Sequence, residues 1–282
     1  MTRLSRKIVL VTSLTALVLC SSAGEVRAGA WTQPKGGYYL KFAGGYFHAT
    51  DDIDASGKRV AKPGEGHFRD FNYSVYTEYG VADDLTFIAS VPYKRLHDKR
   101  TFASGITREH RTGMGDAEIR LRRSLLRGRT VAAVALGVKI PLWSNDDPGT
   151  RVPLSSGGAD WDVRLLAGRS ITVIPAYVTG EIGYRSRGGG LSAEVLYAIE
   201  GGVTMGRFLI KGFLSGVRTR GDCHAASNEV GLIGDQDVMK VSPGIIYRPR
   251  PNLEVGLERI TIASGCNTTA GSTWLLGIAL KR

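Results

Sequence analysis

The residues best suited to chemistry are charged side chains that recur at every second position. Asp116, Glu118, Arg120 and Arg122 share one face of a single stretch, and Lys139, Asp162, Arg164, Glu181, Arg185, Lys211 and Lys240 take equivalent places in the stretches that follow. Period two is the spacing of a β-strand, so these groups stand in rows on one face of a sheet. Rows of this kind can line a pore and act on the ions that pass. Two readings stay open. Acids and bases on adjacent strands can neutralise one another across the ladder, or Arg120, Arg122, Lys139 and Arg164 can form a basic stripe that favours anions, carboxylated aromatic ones included.

Catalysis needs a tighter constellation, with a nucleophile, a base and an orienting partner within hydrogen-bond reach. All five histidines, His48, His67, His97, His110 and His224, fall in the expected outer loops or at strand ends beside them, and Ser104, Ser155 and Ser227 share that rim. No Gly-x-Ser-x-Gly elbow and no His-Glu-x-x-His zinc motif accompanies them. The expectation is therefore solvated loop histidines, no catalytic residue, no metal ligand and no cofactor. A lipid-modifying barrel enzyme is the enzymatic alternative. Cys223 and Cys266 fall in the links of neighbouring hairpins, and in an oxidising compartment that spacing predicts a disulfide bracing the outer rim.

The elements that must position these residues are short alternating strands. In the stretch 116–125, Ala117, Ile119, Leu121 and Leu125 lie opposite the charged row, and 130–143 returns with Val134, Leu136, Val138, Ile140 and Leu142 on one side. Twelve candidate strands follow this pattern, at 36–49, 68–79, 85–96, 116–125, 130–143, 159–170, 176–187, 193–205, 208–219, 237–247, 253–263 and 273–280. Short links fall after the even strands and most of the longer, polar links after the odd ones, among them 97–113, 144–158 and 264–272. Tyr38, Tyr46, Tyr79, Tyr93, Trp143, Trp161, Tyr184, Tyr247 and Trp274 mark strand ends, as interface girdles do. A soluble sandwich would also alternate. The regular pairing of short and long links favours an all-β, antiparallel, transmembrane up-and-down β-barrel with short periplasmic turns and longer extracellular loops.

The N-terminus assigns the compartment. Arg3, Arg6 and Lys7 precede an apolar run at 8–19, and small residues at Ala28 and Ala30 offer cleavage sites, so residues 1–28 read as a signal peptide and 29–282 as one barrel domain. The run is too short to span comfortably, and no other stretch approaches a spanning helix. An exported chain entering a membrane must then do so as a closed barrel. With 37 Gly and 43% hydrophobic residues, the composition suits strands that alternate. The formal charge of +11 becomes +8 without the first 28 residues, which favours anionic solutes and lipopolysaccharide phosphates as contacts. Nucleic acid is the weaker idea and is not an expected partner, because acids are scattered among the bases and no stacking-aromatic motif is present.

Short phrases at the strand ends are also familiar. Trp31-Thr32-Gln33-Pro34-Lys35-Gly36, Glu78-Tyr79-Gly80 with Asp84-Leu85-Thr86, Val91-Pro92-Tyr93, Gly113-Met114-Gly115-Asp116 and Lys139-Ile140-Pro141 resemble outer-membrane transporters of the phenol meta-pathway (MetA) degradation family. The resemblance spans most of the mature chain. It implies a bacterial outer-membrane barrel that passes small aromatic or apolar compounds. The expected state is a monomer in contact with outer-membrane lipid, lipopolysaccharide and a small solute. A non-conducting surface barrel that binds lipopolysaccharide or polysaccharide is the alternative.

Overall fold

A computed structural model describes residues 29–102, 105–142, 152–223 and 234–282. The leader at 1–28, and with it Ser104, Trp143, His224 and Ser227, lie outside the described residues. The chain forms β1 (Tyr38–Ile53), β2 (Arg59–Ala61), β3 (His67–Ala82), β4 (Leu85–Phe102), β5 (Gly105–Met114), β6 (Asp116–Leu126) and β7 (Thr130–Pro141). It continues through β8 (Asp160–Ile171), β9 (Ala176–Ser186), β10 (Glu194–Met205), β11 (Phe208–Thr219), β12 (Asp237–Arg250), β13 (Leu253–Cys266) and β14 (Thr268–Lys281). Successive strands pair antiparallel around the wall, with β1 joined to β3 and β4 to β6, and β14 pairs with β1 from Tyr39 opposite Lys281 to Ile53 opposite Thr268. That last ladder closes the sheet. The result is a closed barrel of 12 strands with two extra strands, β2 and β5.

The alternation read in the sequence sorts the two faces of the wall. Phe42, Tyr73, Leu136, Trp161, Leu165, Ile182 and Leu276 are all exposed on the outside. Their partners in alternation point inward, among them Glu78, Asp162, Arg185, Glu254 and Glu258, and these charged groups are the buried ones. A water-soluble protein arranges its faces the other way round. Eight of the expected girdle aromatics, from Tyr38 to Trp274, are exposed on the outer face.

Three links differ from the sequence expectation. Residues 97–113 are largely a hairpin, in which β4 continues past Leu96 and pairs with β5 from Tyr93 opposite Met114 to Phe102 opposite Gly105. β5 and β6 are one strand interrupted at Gly115, whose N–H bonds to the Pro92 carbonyl at 3.0 Å. The expected loop at 264–272 shrinks to a single connecting residue, Asn267, in the left-handed region at φ 54°. Finally, β1 runs on to Ile53, where it adds β2 along its outer end. Cys223, in the β11–β12 link, and Cys266, the last residue of β13 and opposite Asp237 of β12, are joined in a disulfide.

Candidate functional site: the barrel lumen

The lumen is organised by three sets of groups. The first is a ladder of ion pairs on the inner face of β6 to β10. Arg164 donates to Asp162 at 2.7 Å and to Glu181 at 2.8 Å, while Arg120 lies 3.2 Å from Glu118 and 3.7 Å from Asp162. Arg185 reaches Asp162, Glu194 and Glu118 at 3.5, 3.6 and 3.9 Å. Lys139 bridges Asp116 at 3.4 Å and Asp160 at 2.6 Å. Arg122 donates to Glu78 at 2.8 Å across to β3. Every member of the expected basic stripe thus has a carboxylate beside it. Strand spacing near 4.8 Å places inward side chains of adjacent strands within reach, and their signs alternate so that each charge meets its opposite.

The second set closes the short-turn end. Residues 29–36, which precede β1, enter the barrel mouth and do not extend the wall. The Trp31 indole is buried among Val131, Ala133, Ala135 and Leu166, with Tyr177 meeting it edge-on at 6.1 Å between ring centres. The Gln33 N–H bonds to the Thr86 hydroxyl at 2.8 Å, its side-chain amide donates to Glu78 at 2.9 Å, and Arg122 donates to the Gly29 carbonyl at 2.7 Å. Two glycines admit this segment. A Cβ at Gly168 would stand 2.7 Å from the Trp31 ring, and one at Gly80 would overlap the Pro34 carbonyl. Beside the segment lies a cavity of about 1020 Å³, lined by Tyr39, Tyr76, Tyr177, Lys41 and Lys211 among others. Its lysines are paired, Lys41 with Glu258 at 3.3 Å and Lys211 with Glu200 and Glu258 at 3.3 and 3.2 Å.

The third set occupies the outer half. Lys94 on β4 and Lys240 on β12 point inward from opposite sides of the wall, within electrostatic range of one another. Among the described residues neither has an ion-pair partner. Asp70 on β3 feels Lys94 but does not bond to it. Residues 152–158 of the β7–β8 link fold over this region. Val152 and Leu154 pack against Leu96 and Phe68, and the Ser156 N–H bonds to Asp116 at 3.0 Å.

Eleven charged positions stood out in the sequence. The lumen gathers Asp116, Glu118, Arg120, Lys139, Asp162, Arg164, Glu181 and Arg185 into the ladder, ties Arg122 to the N-terminal segment, sets Lys211 in the inner cavity and leaves Lys240 apart. Sequence reasoning missed Trp31 and Gln33 as lumen residues, and it gave Lys94 no distinct role. The single available signal was a Trp preceding the first alternating strand, next to Pro34 and two glycines. His48, His67, His97 and His110 lie on the outer face near the rim, and Ser155 is buried in the β7–β8 link.

No known family model and no curated protein matches this sequence. Among solved structures, the fold is similar to an outer membrane channel from Pseudomonas putida F1, with a TM-score of 0.65 at 10% identity over 92% of this chain and 100% of that one. KdgM porin covers 84% of this chain and 98% of its own at 8% identity and a TM-score of 0.48. The translocator domain of the autotransporter NalP from Neisseria meningitidis covers 88% and 89% at the same identity and score. These likenesses concern the fold.

Proposed function

We propose that this chain is a monomeric channel of the bacterial outer membrane that passes small solutes, with carboxylated aromatic compounds the class its lumen favours. The observation that carries the reading is the inversion of the wall, with large apolar side chains exposed outward and charges enclosed. In water such an outer face is a large apolar patch, whereas in a bilayer it is solvated by lipid. The closed ladder from β14 to β1 leaves no strand edge among the barrel strands, so one chain suffices. Export through the leader at 1–28 fits the same location.

Two features support the solute class. An anion entering the outer half meets Lys94 and Lys240 without a competing ion pair. Further in, Tyr39, Tyr76 and Tyr177 line the cavity with aromatic rings, the Tyr76 and Tyr177 hydroxyls donating to Glu78 and Glu200. The paired ladder contributes a polar wall of low net charge. The small aromatic or apolar compounds implied by the family resemblance would use the ring surfaces alone.

Single-channel recording in a planar bilayer tests both levels of the reading. Discrete steps that benzoate blocks more strongly than a neutral aromatic are the expected result. Steps indifferent to benzoate would remove the solute class and keep the channel. The inward-folded N-terminal segment favours one second reading, a non-conducting surface barrel. An inserted protein silent both as wild type and as Trp31→Ala would establish it.

A further inference from the structure

The outer wall carries a second ordered array that the channel reading does not use. On the outward face of β1, β3, β4 and β5, residues two apart on each strand stand in register with equivalents on the next. The lowest row holds Tyr73, Tyr93 and Met114, all exposed and apolar. Above it come Tyr46, Phe71 and Arg95, then His48, Arg69, His97 and His110, and at the top His67, Lys99 and Arg108. At ~6.7 Å per row and ~4.8 Å per strand, the three upper rows cover an area about 13 Å tall and 14 Å wide.

The polarity of this face changes in one step. Below the step the side chains suit acyl chains, and above it every charged group is a cation. The intervening acids, Asp70, Asp98 and Glu109, take the alternate, inward positions, where Asp98 pairs with Arg100 at 2.8 Å. Among the described residues Arg69, Arg95, Lys99 and Arg108 have no ion-pair partner. Three other outward cations of the barrel are engaged. Arg218 lies 3.5 Å from Asp237, Arg123 lies 3.2 Å from Asp84, and Arg259 stacks over the Trp274 ring at 5.5 Å. Rings join neighbouring strands within the rows, with Tyr46 and Phe71 at 4.8 Å and His97 and His110 at 3.9 Å.

We infer that this face binds a phosphorylated, multiply acylated glycolipid of the outer leaflet, a lipid of the lipopolysaccharide class. Its phosphates bridge the Arg69, Arg95, Lys99 and Arg108 rows, and its acyl chains lie on Tyr73, Tyr93 and Phe71. Guanidinium groups suit phosphate because their planar N–H forks meet two oxygens at once. Clustered Arg and Lys at the lipid boundary draw anionic headgroups for the same electrostatic reason. Unpaired cations immediately above an apolar step match one molecule that is anionic at one end and hydrocarbon at the other. The inference rests on the reading of the chain as an outer-membrane barrel.

The test uses the exported protein in detergent, titrated with bis-phosphorylated hexa-acyl lipid A, its dephosphorylated form, phosphatidylglycerol and inorganic phosphate, with bound lipid read by native mass spectrometry. The expected result is binding of the bis-phosphorylated lipid alone. Arg69→Gln/Arg95→Gln/Arg108→Gln should weaken it on the order of 100-fold, at roughly fivefold per cation removed. Arg218→Gln on the far side should leave binding unchanged. Equal binding of the dephosphorylated lipid or of phosphatidylglycerol, competition by inorganic phosphate, or full binding by the triple variant would each overturn the inference. Should the triple variant not fold, the comparison of the two lipid A forms on the wild type decides. Flotation with phosphatidylcholine vesicles separates the two levels. A wild type that does not insert undoes the barrel reading, whereas one that inserts but shows no lipid preference undoes only the lipid site.

Discussion

The inner and outer halves of the lumen use the same residue types to opposite ends. In the inner half and along the ladder, each cation is matched, and Trp31 is held in an apolar nest built by small residues. In the outer half, Lys94 and Lys240 have no ion-pair partner among the described residues. Charge count alone would rank the ladder as the selective element, because it holds more cations. Pairing reverses that ranking, since a cation already shared between two carboxylates exerts little net field on a passing ion. On the channel reading, pairing, more than residue type, separates scaffold from filter.

The comparison can be broken most forcefully at Trp31. Trp31→Ala should cost the inner segment about 3–5 kcal/mol of docking energy and raise unitary conductance, as measured in a planar bilayer. An unchanged conductance would mean that the segment does not limit the path. Asp162→Asn comes next, because it leaves Arg120, Arg164 and Arg185 without their shared carboxylate. A loss of about 3 kcal/mol in urea unfolding of the detergent-folded protein is expected; a neutral result would show that lumen water already screens the ladder.

Smaller effects sharpen the outer half. Lys94→Gln/Lys240→Gln should lower the anion-to-cation permeability ratio about threefold, or ~0.6 kcal/mol, read as a shifted reversal potential in a salt gradient. An unmoved reversal potential would return the selective role to the ladder. The smallest effect belongs to Asp54 in the exposed turn after β1. Hydrogen bonds from the Ser56 side chain and from the Lys58 and Ser56 amides hold its carboxyl below the usual carboxylate value. A depressed folded value means that the turn gains order above the ordinary carboxylate range and loses it as pH falls through the depressed one. Amide shifts of Ser56 and Lys58 should follow that acid transition, and Asp54→Asn should abolish it.

Most of the wall was legible because a membrane barrel imposes one rule along its length, apolar outward and polar inward at period two. Where both faces are wet, the rule lapses. Residues 97–113 alternate cations with acids and polar groups and not apolar with polar, so the hairpin of β4 and β5 looked like a loop. The expected loop at 264–272 erred for a different reason. β13 and β14 part after Thr261 opposite Ser272 and extend along different neighbours, leaving no turn sequence to read. Cross-strand pairing of the charges was legible as one of two alternatives, since register needs the partner strand. The docking of Trp31 was not legible, because a segment that contacts β7 and β8 through side chains alone has no period of its own.

The ladder between β1 and β14 joins the two most distant strands of the chain, with Tyr38 and Arg282 exchanging hydrogen bonds at 3.1 and 2.9 Å. A contact of that sequence separation forms slowly and cannot begin before the final strand has left the ribosome. Until then the nascent sheet carries two bare edges and an apolar face that no folded core will ever cover. On the proposed reading as an outer-membrane barrel, the chain reaches the bilayer as an unfinished polymer, and lipid insertion and ring closure become a single event.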